Sequence, residues 1–456
     1  MNKDLSVFEK DSIPKAVFKL ALPTIASMLV SIVYNMVDTF FVAKLNDANM
    51  VAAVSIATPV FLFLMALGNI FGVGGSTFIS RALGEKRFDK VKNISSFCFW
   101  AGIGASLVGT AIFIFGMKGI LKMIHASSAT APFAKNYLSI LAYGAPLIVI
   151  GGAFSNIIRG EGSATVSMAG MMAGTIVNII LDPIMIIAMK MGVEGAAVAT
   201  VIGNGVTCAV YIVHILKGKS ILSINPKDYR MGEKTATTVV SIGIPASLNN
   251  VLMSLSHIFL NNFLSSYGDV PVASMGIAMK ANMLVVFLQL GMGIGIQPLV
   301  GYNFGAKNFV RMKKVIRFSI FCNLFIGVLM TALYLIFADD VVRFFMNDEQ
   351  VIFYGVKMLR ALMVSGPVLG IMFIMNFSFQ AMGKALAALV VSISRQGFVF
   401  MPLLFISSAV AGLNGIIYAQ PLADLISVLI SVLMFVFIMN RIKKNESEAV
   451  MEQSKD

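Results

Sequence analysis

Along the 456 residues of this chain, apolar positions come in long blocks, not in the alternation of a half-buried strand or the narrow stripe of a water-facing helix. Twelve blocks reach the roughly 20 residues a helix needs to cross a hydrocarbon core. They lie at about 16–40, 51–80, 94–117, 137–158, 164–189, 194–216, 236–264, 272–300, 315–338, 353–379, 385–409 and 414–440. The pattern predicts an all-α integral membrane protein of twelve spans. Composition agrees: 58% of residues are hydrophobic, 12% are charged and the mean hydropathy is +0.86, against about one quarter charged in soluble domains.

The pattern also repeats. "ALPTIASMLVSIVYNMVDTFFVAKL" from Ala21 matches "GIPASLNNVLMSLSHIFLNNFLSSY" from Gly243, about 222 residues on. "ISRALGEKRFDKVK" from Ile79 pairs with "VGYNFGAKNFVRMKK" from Val300. "YGAPLIVI" pairs with "SGPVLGIM" through Pro146 and Pro367, and "GVEGAAVAT" from Gly192 with "GLNGIIYAQ" from Gly412. Two copies of a six-helix unit, each with an even number of spans, share one orientation, so a pseudo-two-fold axis along the membrane normal relates them, as in transporters. The expected organisation is a first lobe at 1–216, a connector at 217–235, a second lobe at 236–440 and a polar tail at 441–456.

The net charge of +13 invites a nucleic-acid reading, but a cytoplasmic N-terminus places about 25 of the 35 Lys and Arg in cytoplasmic segments. The charge therefore reports topology. Segment 304–317, with five basic residues and no acid, reads as an inside-facing loop, and both termini are expected in the cytoplasm of a cell with this protein in its plasma membrane. Cys98, Cys208 and Cys322 show no CxxC spacing, and the N-terminus has no cleavable signal pattern.

Embedded polar residues change the picture most. An ionised carboxylate at the centre of a span costs roughly 2.5–3.5 kcal/mol, yet "NIILDPIMI" (178–186) holds Asp182 beside Pro183. Asn178 lies one turn before Asp182 on the same face, and Thr175 extends it. Ser27, Ser31, Asn35 and Asp38 form a second stripe in the first span, and Thr200, Asn204 and Thr207 a third in the sixth. Pro183 frees the carbonyl four residues back and predicts a bend beside Asp182. Two carboxylates with neighbouring amide and hydroxyl oxygens suit either cycles of H⁺ uptake and release or coordination of Na⁺. A packing kink at Pro183 and a headgroup-reaching Asp38 are the structural alternatives.

Aligned on the second half, Asp38 falls at Leu260 and Asp182 near Leu403. That half instead embeds Lys280 and Arg395, with His257, Asn282, Gln289, Gln380 and Gln396 as polar neighbours, so the coupling chemistry is expected on one side only. The cations would meet an anionic group or hold the half together. Glycines 72, 74 and 75 and 291, 293 and 295 follow no strand and carry no nucleotide fingerprint. "RGEG" (159–162) reads as a cytoplasmic turn.

These residues resemble the multidrug and toxic compound extrusion (MATE) family over nearly the whole chain, from "FEKDSIPKAVFKLALP" through "GNIFGVGGSTFISRALGEK", "NIILDPIMI", "GVEGAAVAT" and "SRQGFVFMP" to "GLNGIIYAQPLAD". The resemblance, closest to the family's MepA-like branch, implies a twelve-helix, V-shaped pair of lobes. It also implies export of bulky, often cationic and aromatic compounds against H⁺ or Na⁺, and a cation network at Asp38, Asn178, Asp182 and Thr200. Where family members use a second-lobe cation site, carboxylates stand on the seventh and tenth spans; the cores of those spans have none here. Expected partners are small organic cations and aromatic drugs and the lipid bilayer, with no nucleic acid and no cofactor beyond the coupling ion, and the protein is expected to be a monomer. A lipid-linked oligosaccharide flippase of the same superfamily is the alternative, weakened by only two embedded cations. A membrane enzyme is disfavoured by the scattered histidines 125, 214 and 257.

Overall fold

The computed structural model describes residues 5–44, 47–229 and 234–453, and these form helices and short connectors with no strand. Nine helical stretches are long and apolar enough to cross a membrane, and two bent pairs each make another crossing. The first three spans are Ile13–Ala43, Ala48–Gly84 and Phe88–Met123. The fourth is Ala131–Tyr143 and Ala145–Gly160, bent by 57°. The fifth, Ala164–Asp182, continues as a π-helix over Pro183–Ala188, and the sixth is Val193–Leu216. In the second half follow Thr235–Ser265, Asp269–Gly305 and Phe309–Ile336, then Glu349–Leu362 with Gly366–Ala381, bent by 50°.

The last stretch, Ala385–Lys444, has 60 residues. At 1.5 Å per residue it is about 90 Å long, roughly three times a bilayer core, so it is two spans. Gly412 makes the break, with φ 56° and ψ −133°. Twelve crossings result, as the hydrophobic blocks predict. Outward-facing apolar residues such as Phe115, 89% exposed, have lipid as their natural neighbour.

The repeat is present in the backbone as well as in the letters. Gly192 adopts φ 59° and ψ −133°, almost the values of Gly412, 220 residues later. Lys86 and Lys307, and Gly162 and Gly383, are also left-handed at matching positions. The two bent spans share a cause and a remedy. Pro146 and Pro367 stand in the first turn after each break, where a missing N–H costs least. Thr110 Oγ1 donates to the carbonyl of Ala142 (2.6 Å) and Thr331 Oγ1 to that of Met363 (3.4 Å), at equivalent places.

By internal packing the chain divides into two compact units: Met1–Asn250, Ile294–Val315 and Ala381–Gly383, and Val251–Gly293, Ile316–Gln380 and Lys384–Asp456. In the first unit the short helix Ser6–Glu9 is clamped by later residues. Arg311 donates to the carbonyls of Phe8 and Asp11 (2.7 Å each), Tyr302 OH donates to Glu9 Oε1 (2.6 Å), and Phe8 stacks on Tyr302. The expected basic loop at 304–317 is thereby corrected: only 306–308 separate two helices, the rest is helical, and Arg311 is an anchor as well as a topology signal.

The connector is pinned to the third span. Ser96 Oγ donates to the carbonyl of Asn225 (2.8 Å), Trp100 Nε1 to that of Ile224 (3.1 Å) and Asn93 Nδ2 to that of Asp228 (3.1 Å). Residues 230–233 of the connector and 454–456 of the tail lie outside the described residues.

Gly412 and Gly192 sit in a backbone region that a side chain occupies at a cost of about 1–3 kcal/mol, so Gly412→Ala and Gly192→Ala should each lower the thermal midpoint of the detergent-solubilised protein by several degrees. Gly104→Ala, in a helix with open space around the new methyl, should leave it unchanged or raise it.

Candidate functional site

The first-half stripes fold into one cluster. In the first span Ser27 Oγ donates to the carbonyl of Pro23, Ser31 Oγ to that of Ser27, and Asn35 Nδ2 to that of Ser31, at 2.9, 2.9 and 2.7 Å. These donors are satisfied by their own helix, and the ladder leads to the partly buried Asp38. In the sixth span Asn204 Nδ2 likewise donates to the carbonyl of Thr200 (2.9 Å). Thr207 Oγ1 donates both to the carbonyl of Gly203 on its own helix (3.2 Å) and across to that of Gly170 on the fifth span (3.1 Å), so this member of the predicted stripe joins helices.

Gly174 and Gly203 let the fifth and sixth spans touch backbone to backbone. A Cβ on Gly203 would stand 2.7 Å from the Gly174 carbonyl oxygen and 3.0 Å from Asn178 Cβ. Small residues permit this approach in membranes, and it seals Asn178 and Asp182 from solvent at 3% and 0% exposure. Neither carboxylate oxygen of Asp182, nor either polar atom of the Asn178 amide, hydrogen-bonds another described residue. Asp38 lies within electrostatic range of Asp182. Tyr34 is close to both acids and within hydrogen-bond reach of Thr200, and Tyr137 from the fourth span faces both acids as well.

Pro183 does more than kink its helix: the chain past it runs as a π-helix to Ala188, a register that often marks functional positions in helices. An ionised carboxylate here needs a cation, because burying an uncompensated charge costs several kcal/mol. Two carboxylates, an amide oxygen, a threonine hydroxyl and two phenols suit a proton or a small hard cation with oxygen ligands. No group of three or more His, Cys, Asp or Glu gathers among the described residues.

The second half has a different site. His257, Lys280, Asn282, Arg395 and Gln396 line one cavity of about 280 Å³, whereas Gln289 and Gln380 are not among its lining residues. Gln289 Nε2 instead donates to the carbonyl of Gly366 (2.8 Å) at the break of the tenth span. Arg395 lies on a second π-helix, Ser394–Phe398, and its Nε donates to Asp424 Oδ1 at 2.8 Å. Gln420 Nε2 and Ser365 Oγ also donate to Asp424, at 2.8 and 2.9 Å. The reading that the second half embeds cations in place of carboxylates is corrected by Asp424, only 3% exposed on the twelfth span. Its three donors leave it with a structural role.

The MatE family profile matches the chain twice, over residues 23–184 and 245–406. The chain belongs to the MatE family. The two matches start 222 residues apart, the spacing of the internal repeat. Multidrug export protein MepA of Staphylococcus aureus (strain NCTC 8325 / PS 47) is 33% identical over 450 residues, 98% of this chain and 99% of that protein. The protein of the same name from Staphylococcus saprophyticus is 30% identical over 447 residues, with the same coverage of both. A crystal structure of a MATE protein in complex with MaL6 is 25% identical, with a TM-score of 0.92 over 97% of this chain and 100% of that one. Fold and family are those of membrane transporters, not enzymes.

Several residues of this MatE chain escaped the sequence reading, Tyr34, Tyr137 and Asp424 among them. Tyr34 stands one helical turn before Asp38, and Asp424 one turn after Gln420, so both carried a same-face signal. Tyr137 carried none. The "RGEG" segment does turn, with Gly162 at φ 91°, and its two charged residues are buried. Arg159 is 4% exposed, and fully buried Glu161 accepts from Ser220 Oγ (2.7 Å) and the Ile221 amide (3.3 Å), with His214 Nε2 at 3.3 Å.

Arg395→Gln or Asp424→Asn alone strands a buried charge, so each should cost about 3–5 kcal/mol of stability. The double change Arg395→Met, Asp424→Leu should recover part of it, as read by thermal unfolding in detergent.

Proposed function

We propose that the protein exports bulky, amphipathic, cationic aromatic compounds across the cell membrane by alternating access, in exchange for inward-moving H⁺ or Na⁺. The observation that carries this reading is the buried Asn178–Asp182 pair without hydrogen-bond partners among the described residues, close to Asp38 and beside the π-turn at Pro183. Supporting it are the export role in the name of the MepA relatives and the 98% of the chain that they cover. The protein acts as a monomer with both termini in the cytoplasm, and the coupling ion is the only cofactor.

In this scheme the anionic acid pair requires a positive charge, which either the drug or the entering ion supplies. Ion entry neutralises the pair, and the first and fifth spans repack about Pro183 into a state that holds the drug less tightly. One charge moved through 100 mV contributes about 2.3 kcal/mol and one pH unit about 1.4 kcal/mol. A monocationic drug carries its own charge outward, so one-for-one exchange is electroneutral and one pH unit sustains about a tenfold drug gradient. Two ions per drug move one net charge inward and sustain roughly a few thousandfold.

Asp182→Asn keeps volume and hydrogen bonding but removes the charge. In proteoliposomes its ion-driven efflux should fall to background while the protein still inserts; wild-type efflux at normal reconstitution would remove Asp182 from the mechanism. Linkage fixes the sign of a second test. Proton and cationic drug exclude each other from the pair, so drug affinity of purified protein should weaken as pH falls from 9 to 5 at fixed sodium. The Asp38→Asn, Asp182→Asn double variant should show a flat profile. A wild-type affinity that is flat in pH but falls with added sodium would make Na⁺ the coupling ion.

A further inference from the structure

The cavity of the second unit has the opposite electrical character to the acid pair. Among the described residues, no Asp or Glu lines its roughly 280 Å³. Asp424, beside it, is occupied by Arg395, Gln420 and Ser365. Ser256 Oγ is likewise committed, to the carbonyl of Gln396. What remains free is donor capacity. Lys280 lines the cavity and has no carboxylate within ion-pair distance among the described residues. Arg395 gives Asp424 only its Nε and rests its guanidinium carbon 5.4 Å from the centre of the Phe373 ring, leaving further N–H groups in a planar fork. Asn282 adds an amide. His257 lines the cavity too, and Met253, Met279, Met283, Phe287 and Phe400 are part of its apolar wall, an adaptable surface suited to flat apolar bodies.

We propose that this cavity is a binding site for amphipathic organic anions, an aromatic or aliphatic body carrying one carboxylate or sulfonate, with Lys280 facing the anion and the Met and Phe wall holding the body. The site is independent of the acid pair, so the protein handles ligands of both charge signs at two places. A charge-assisted hydrogen bond contributes about 1.5–3 kcal/mol, so an anion should outbind a neutral isostere by about tenfold or more.

The test uses the full-length protein in phosphatidylcholine nanodiscs, with no ion gradient and no cationic drug, so it stands or falls separately from the antiport reading. Calorimetric titration compares 2-naphthoate, 2-naphthamide and 2-naphthylmethylammonium. The anion should bind at least about tenfold tighter than the other two. Lys280→Gln should erase that preference and Lys280→Arg retain it, while Met283→Trp, which fills the cavity, should weaken all binding. Equal affinity for the three probes, or an undiminished preference in Lys280→Gln, overturns the proposal. So does retention of phosphatidylglycerol without any naphthoate binding in phosphatidylcholine, which assigns the cavity to a lipid headgroup instead.

Discussion

Hydrocarbon offers no water to a backbone carbonyl, and every break in a membrane helix must therefore find a replacement donor. Much of the architecture follows from that constraint. The fourth and tenth spans bend at prolines, and each bend carries a threonine hydroxyl from the preceding span on its exposed carbonyl. Gln289 serves the same purpose at Gly366. In the fifth and eleventh spans the answer is a widened register, the π-segments Pro183–Ala188 and Ser394–Phe398. Helix irregularity is confined to a few places, and the chemistry-bearing residues Asp182 and Arg395 stand at two of them.

The two halves solve the buried-charge problem in opposite ways. Asp424 is surrounded by an arginine, a glutamine and a serine, and its charge is neutralised where it lies. Asp182 is at least as buried, yet it has no donor among the described residues. A carboxylate with three donors holds helices together and has little reason to change state. One without donors requires a cation, and its surroundings favour whichever cation arrives. The same residue type is thus held by three donors in one half and left without any among the described residues in the other.

Much of the fold was legible in the sequence because span length and hydrophobic continuity are imposed by bilayer thickness, and because the repeat shows each boundary twice. The first-half cluster was legible too, since i, i+4 spacing on straight helices puts Asn178 beside Asp182 without knowledge of the tertiary packing. Partnerships between distant helices were not. Nothing local to Arg395 announces Asp424, 29 positions on, and Tyr137 reaches the acids only through the way the fourth span packs. Glu161 reads from the sequence only as part of a turn, yet packing folds the connector over it. Composition marks what a residue costs to bury; only the fold shows what offsets that cost.

Gly192 and Gly412 share nearly one pair of dihedral angles, in a region that strains any residue with a side chain. Such agreement points to common descent of the halves from one duplicated gene segment. Before the duplication, two identical chains would have carried identical polar residues, and a symmetric dimer cannot hold an acid pair on one side alone. The difference in acids between the halves, Asp38 and Asp182 in one and Asp424 in the other, is therefore younger than the frame that carries it. Fusion into one chain released each copy from having to mirror the other, and divergence then proceeded in the side chains while the backbone stayed as inherited.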